Sequence, residues 1–324
     1  MRAGFWRDGS VFALSVGLGF AACASVSSSG TGASAGQSEA SGPALPGLPP
    51  QAPMNLEQAR RYLLALVNRD RAEHGLTPVV MDDVASRAGQ RHAEDMARFG
   101  YTAHWGSDGS VPEQRYSEAG GTDFVHENAG CLADGKVRKL DAAPRFTAAE
   151  LERVERAFMD EKPPRDGHRK NILKANHTGF GVGVAKPSGV GLACLSQEFV
   201  DDYGDYSALP KSARAGDTLT IAGEVKGAVS FGGVGIGRID LAQPLTAVYL
   251  NTTYTYAVPS PTELYFPKGF VTKRPVEVTG KRFRIDIPLG ERAQPGRYEI
   301  SIWAKFPGGG KQLEMVSLRV VNVH

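Results

Sequence analysis

Apolar positions recur at helical spacing in three stretches of the first half of the chain. In NLEQARRYLLALVNRDRAEHG (55–75), Leu56, Ala59, Leu63, Leu66 and Val67 share one face. Asn55 is placed to cap this helix, Gln58 stands three residues on, and Gly75 supplies the stop. DDVASRAGQRHAEDMARFG (82–100) repeats the grammar, with Asp82 as cap, Gly100 as stop and a stripe of Ala85, Ala88, His92, Met96 and Phe99. His92 lies on that stripe, which predicts a packed histidine rather than a ligand. A third helix starts at Thr147, with Glu150 completing a capping box and Leu151, Val154 and Phe158 as its buried face. Glu161 ends this helix and projects from nearly the same side as Phe158, towards the domain body or a cleft. Pro163 and Pro164 then stop the helix, and His168 opens the next short one.

The period then changes to two. Phe180, Val182 and Val184 alternate with glycines in GFGVGV (179–184), and VGLACLSQEFV (190–200) reads as the partner strand. The glycine run has no helix after it, which excludes a dinucleotide-binding loop. A hairpin closing a helical region predicts α/β/α layers. Between the second and third helices, residues 101–130 are Gly-rich with little periodicity and read as a long functional loop holding His104, His126 and Glu127. His126-Glu127 is no zincin half-motif, because Ala129-Gly130 stand where a second histidine would complete it.

Beyond about Tyr206 only strands are expected: 217–225, 246–251, 262–266, 282–289, 297–306 and 312–323, with Pro295-Gly296 and PGGG (307–310) as turns. Short strands between turn signals predict an all-β sandwich of immunoglobulin-like type, without the cysteine-and-tryptophan hallmark of true immunoglobulin domains and without a catalytic cluster.

Composition adds an address. Arg2 and Arg7 precede VFALSVGLGFAACA (11–24), an apolar run sized for a signal-peptide core and short for a membrane span. Two processing readings compete. FAAC (20–23) resembles a bacterial lipoprotein box with Cys23 as the lipid attachment site, the reading favoured because Cys23 otherwise has no role. Ordinary cleavage after Ala24 would release a soluble protein. Either way the chain is extracytoplasmic, lipid-anchored to the cell envelope or secreted. Residues 25–53 are Ser, Gly, Ala and Pro rich and read as a tether. The expected division is therefore signal peptide 1–24, tether 25–53, a mixed domain 54–206 and a β-sandwich 207–324. Lys+Arg 37 against Asp+Glu 35 and a pI of about 8.4, with no basic cluster, argue against nucleic acid as a partner. Cys131 and Cys194 are either a disulfide, favoured in an exported protein and worth ~3–4 kcal/mol for a loop of some 60 residues, or two buried thiols.

Four signals occur in order: DMARFGYTAHW, a Gly-, Pro- and Arg-bearing loop leading to ENAG, FMDEKPPRDGHRKNIL, and HTGFGVGV followed by CLSQEFV. Together they resemble the CAP superfamily, named for cysteine-rich secretory proteins, antigen 5 and plant pathogenesis-related proteins, in its bacterial extracytoplasmic branch, over roughly residues 55 to 203. The resemblance implies an α+β fold, an α-β-α sandwich whose central cleft is lined by two histidines and two glutamates. Here those are His104 after the second helix, Glu127 before Asn128, Glu161 on the third helix, and His168. His126 stands where the family usually has glycine, and Phe158 where it has tryptophan.

Two imidazoles with two carboxylates suit zinc or another divalent metal, with His104, His168, Glu127 and Glu161 as the expected ligand set. The same four are the candidate catalytic residues for general acid/base hydrolysis. No serine or cysteine carries a nucleophile signature. The expectation is a cleft binding a divalent metal and a small or peptidic ligand or a cell-envelope component, ahead of a metal-assisted hydrolase or protease acting on peptide or cell-wall substrate. A third reading makes the four a polar network that only holds the loop.

Overall fold

The computed structural model describes residues 52–324 apart from Tyr254, Glu291 and Lys311. The expected signal peptide, Cys23 and nearly all of the tether lie outside the described residues. Local sequence dictates the first elements. In α1 (Leu56–Glu73) the Asn55 side chain accepts from the Gln58 N–H while Gln58 returns a bond to Asn55. Strand β1 (Val80–Met81) leads to Asp82, which caps α2 (Asp83–Phe99); α2 ends at Gly100, in the left-handed region at φ 68°. Residues 101–130, expected as loop, contain α3 (Pro112–Glu118), with proline at its first turn, and β2 (Phe124–Gly130). Strand β2 escaped notice because its inward positions carry Glu127 and Asn128 in place of apolar side chains. Thr147 and Glu150 form the capping box of α4 (Ala148–Met159), which stops before Glu161, so Glu161 sits past the helix end rather than on it. Then follow α5 (Gly167–Ile172), β3 (Gly179–Ala185) and β4 (Cys194–Asp201).

The sheet order is β1-β3-β4-β2, with β1 parallel to β3 and the other pairs antiparallel. Phe180, Val182, Val184, Leu195 and Phe199 pack on one face against Leu63, Leu66 and Val67 of α1 and Leu151 and Phe158 of α4. The glycines of β3 explain the other face. A Cβ on Gly183 would meet the Gly89 backbone at 2.1 Å, and one on Gly181 would meet Ser86 at 2.3 Å. Alternate glycines thus let the backbone of α2 lie directly on the strand, an α-β-α layering. Cys131, just past β2, and Cys194, at the start of β4, are disulfide-bonded with Cα atoms 4.3 Å apart. The bond staples the edge strand β2 to its neighbour.

The chain then enters a pair of further sheets at once. Strand β5 (Gly204–Tyr206) already pairs with β7 (Thr218–Val225). After β6 (Ser212–Ala213) and β7 comes β8 (Ser230–Ile239), whose glycines hid its alternation from the sequence reading. The 246–251 segment, expected as a strand, is instead a helical turn, α6 (Ala247–Leu250), capped by Thr246. Strands β9 (Glu263–Tyr265), β10 (Glu277–Thr279), β11 (Arg282–Pro288), β12 (Gly296–Lys305) and β13 (Glu314–Val323) complete two sheets, β10-β11-β7-β5 and β6-β13-β12-β8-β9. Ile221, Ile285, Ile300, Ile302, Val316 and Val321 fill the core between them.

The two halves share a polar interface. Strand β13 lies along α3, with the Leu318 N–H on the Asp123 carbonyl and the Val320 N–H on Ser117 Oγ. Residues 240–262, between β8 and β9, cross as a strap: Leu245 N–H bonds the Ser107 carbonyl, and Asn251 bridges Thr102 N–H and the Gly100 carbonyl. Leu250 is fully buried among Met96, Tyr101, Ala103 and Ala129. Between α3 and β12, Arg297 binds Glu299 and Gln114, Tyr256 donates to Glu113, and the Glu113 and Glu299 carboxyls face each other.

Two outcomes follow from this packing. Replacing Cys131 and Cys194 together by serine should lower unfolding free energy by ~3–4 kcal/mol, read from urea denaturation at matched pH. Burial, with Glu113 opposite, pushes the Glu299 carboxyl up to about 7, and burial raises Glu113 as well. The folded chain therefore keeps protons that unfolded glutamates release above about pH 4.3, so this cluster loses stabilising effect as pH rises from there through about 7. Glu299→Gln should flatten the fall in urea midpoint between about pH 5 and pH 8; an unchanged slope would assign the pH dependence elsewhere.

Candidate functional site

Strand β2 is an edge strand, and the site is built along its free side from both faces of the sheet. Its register places Glu127 opposite Glu198 and Asn128 opposite Gln197. Glu127 therefore points to the α2 side. There His104 Nδ1 donates to its Oε1 at 2.9 Å, while Arg115 at 2.6 Å and Ser196 Oγ at 3.1 Å donate to its Oε2. The side chains of Glu127 and Arg115 are each 1% exposed. Burial alone would push the Glu127 carboxyl up. The Arg115 guanidinium, with His92 and His104 beside it, outweighs burial and holds the carboxyl well below the usual range. Arg115 also donates to the His104 carbonyl at 3.0 Å and the Ser110 carbonyl at 2.9 Å, so one guanidinium fixes both the carboxylate and the loop that carries the imidazole.

Two further titratable groups lie in this layer. Burial, then the nearby Glu127 charge, drives the Glu198 carboxyl, which lies beside Ser196, well above the usual carboxylate range. His92 is fully buried, bonded through Nε2 to the Ala103 carbonyl, and lowered to about 4 by burial and Arg115. It is a packed histidine, as its helical position implied.

The second dyad lies on the other side of β2. Glu161 Oε1 accepts from His168 Nδ1 at 2.6 Å, and its Oε2 accepts the His168 backbone N–H at 2.9 Å. The His168 ring packs on Phe158 at 4.5 Å, and its carbonyl receives Asn128 Nδ2 at 3.1 Å. Glu161 and His168 are more open than Glu127, with side chains 23% and 29% exposed.

His104, Glu127, Glu161 and His168 line one cavity of about 850 Å³, and the two imidazole centroids stand 6.5 Å apart. Each ring is tied through Nδ1 to a carboxylate, which makes Nδ1 the protonated nitrogen of the neutral imidazole and leaves a lone pair on Nε2. Among the described residues neither Nε2 has a protein partner. All four oxygens of Glu127 and Glu161 are already bonded within the protein, and no group of three or more His, Cys, Asp or Glu side chains converges as a metal shell among the described residues. The glutamates orient the histidines, and the donors left for an ion are the two Nε2 atoms. Both atoms belong to rings that line the cavity.

His126 lines the cavity but is not a third free imidazole. Its Nε2 accepts from Lys174 Nζ at 2.9 Å, and its ring packs between Phe124 and His177. Lys174 and His177 both bind Asp201. The remaining wall comes from the strap: Tyr256, with Thr255 and Val258, closes one side, its ring 6.3 Å from His104 and edge-on to Trp105 at 5.0 Å. Sequence reasoning missed Arg115 and Tyr256 as site residues. Arg115 is on a short helix with no stripe to read, and Tyr256 lies 152 positions from its neighbour His104 in a segment without periodicity.

Residues 64–199 match the cysteine-rich secretory protein family, CAP. That stretch is a CAP domain. The chain is similar to the protein YkwD of Bacillus subtilis (strain 168), 26% identical over 149 residues that make up 46% of this chain and 49% of that protein. It thus spans about half the length of the curated relative it matches. Among solved structures it is similar to an extracellular SCP-domain protein of Bacillus anthracis str. Ames, with TM-score 0.36, 20% identity and coverage of 45% of this chain and 41% of that one. It is also similar to an outer surface protein of Borrelia burgdorferi, with TM-score 0.35, 15% identity and coverage of 45% and 95%.

The Arg115–Glu127 pair predicts a large, non-additive effect. Arg115→Met leaves a buried carboxylate unpaired and should cost about 3–5 kcal/mol in urea denaturation. Adding Glu127→Gln to it should recover a good part of that loss, giving a coupling energy of about 1–3 kcal/mol. Strictly additive costs would mean the pair is not a unit.

Proposed function

We propose that the chain is an exported protein of the cell envelope whose CAP cleft binds one divalent metal ion between His104 and His168 and, against it, a small or peptidic ligand. The observation that carries this reading is the pair of carboxylate-oriented imidazoles with both Nε2 lone pairs turned free in a single cavity. When bound, a zinc-like ion supplies Lewis-acid attraction for a carboxylate or carbonyl of the ligand. The chain's own groups do the rest. Glu127 and Glu161 fix ring orientation and tautomer, Phe124, Val125, Pro164 and Val258 offer apolar wall, and Asn171 and Arg165 add polar edges.

Export is supported by the basic and apolar N-terminal run and by the Cys131–Cys194 disulfide, which belongs to an oxidising compartment. We read Cys23 as the lipid attachment site and the C-terminal pair of sheets as an immunoglobulin-like sandwich. One feature favours hydrolysis as a second reading: each Nε2 is a base held by a carboxylate and open to the cavity. The hydroxyl nearest the dyads, Ser196, is fully buried, so a hydrolase here would use water as nucleophile.

Calorimetric titration of the metal-stripped protein with zinc decides between these. Wild type should bind one ion, His104→Ala with His168→Ala should bind none, and Glu161→Gln should bind about 10–100-fold more weakly. Unchanged stoichiometry in the double variant would overturn the metal site. Turnover of peptide or cell-wall fragments that the double variant abolishes would replace the binding reading by the hydrolase.

A further inference from the structure

The loop joining β9 to β10, FPKGFVTKRPV (266–276), has three basic residues and no acidic one. It is built rather than slack. Phe266 and Val276 join by a backbone bond, Phe270 N–H turns back to the Pro267 carbonyl, and the Thr272 hydroxyl bonds the Arg274 carbonyl and accepts from Phe266 N–H. That framework holds Phe270 68% and Val271 98% exposed at its tip. Two large apolar side chains at one tip oppose the hydrophobic effect unless something covers them. Lys268, Lys273 and Arg274 are exposed around them; Lys273 reaches Glu263 and Arg274 an Asp286 carbonyl, both contacts at the surface.

We infer that this loop is a bilayer-contacting tip that seats Phe270 and Val271 among the acyl chains of an anionic phospholipid surface while its basic residues meet the headgroups. The charge distribution selects this occupant. An anionic interface attracts Lys268, Lys273 and Arg274, whose long stems reach outwards as the apolar tip descends. A folded protein partner fits less well. A phenylalanine buries roughly 150–250 Å², and with one valine this falls far short of the about 800 Å² a stable interface takes from each side. A soluble polyanion would use the cations but leave the two apolar side chains in water. The contact is independent of the metal cleft and of any acyl chain on Cys23.

The test uses the full chain with Phe270→Trp, compared with the unsubstituted chain to subtract the native tryptophans. Brominated phosphatidylglycerol vesicles should quench emission from position 270 beyond that background, whereas brominated phosphatidylcholine vesicles should not. Adding Lys268→Glu, Lys273→Glu and Arg274→Glu should lower the vesicle partition coefficient read at position 270 at least tenfold. No excess quenching with phosphatidylglycerol, or equal quenching with both lipids, overturns the proposal. Retention on heparin without any quenching by vesicles assigns the loop to soluble polyanions and overturns it as well.

Discussion

One buried ion pair, Arg115 with Glu127, holds the candidate site in place. A carboxylate taken out of water is expensive unless both oxygens are hydrogen-bonded and a counter-charge is near. Glu127 meets both conditions, because Arg115, Ser196 and His104 converge on its two oxygens. The same guanidinium anchors the carbonyls of Ser110 and His104, so the loop before α3, α3 itself and the edge strand β2 form one hydrogen-bonded unit. His104 is oriented by this unit, and α3 in turn is the surface on which β13 rests. Loss of the pair would therefore spread to ring orientation, loop path and the interface between the halves.

The two dyads are chemically alike and physically different. Glu127 is dry, and its interactions act in a low effective dielectric that locks His104. Glu161 stands in a partly solvated position beyond the end of α4, gripping His168 by ring and backbone together. A ligand entering the cavity meets one imidazole on a rigid mount and one on a short helix at the surface. His168 is thus the ring with room to adjust to a ligand or ion, while His104 sets the reference position. His126, tied to Lys174, fills wall space without entering the chemistry.

How much of this the sequence revealed depended on whether a feature leaves a periodic trace. The capped helices α1, α2 and α4 and the alternating hairpin β3–β4 were legible because their buried faces are apolar and regularly spaced. Strand β2 was not, since it spends its inward positions on Glu127 and Asn128, and β8 was not, since glycine replaces its apolar alternation. The four cleft residues came from resemblance to a family rather than from spacing, and the resemblance named residues without settling roles. Only the hydrogen bonds show that the glutamates are consumed in orienting histidines. Arg115 is invisible to pattern because a counter-ion's position is dictated by a charge twelve residues away in sequence that only the fold brings to 2.6 Å.

The division into a CAP domain and a sandwich therefore describes sequence grammar better than mechanics. Only Asp202 and Tyr203 separate β4 from β5, which leaves no hinge of useful length. The strap buries Leu250 within the CAP half, and Tyr256 gives its hydroxyl to Glu113 while its ring stands beside His104. A CAP domain cut free at this junction would expose Met96 and Tyr101, leave Glu113 without its partner and lose one wall of the cavity. The second half thus shapes what the cleft admits, a role that docking at a distance would not require. A site with its donors on one half and its wall on the other responds to whatever moves the halves apart, and the Glu113–Glu299 carboxyl pair sits on that seam.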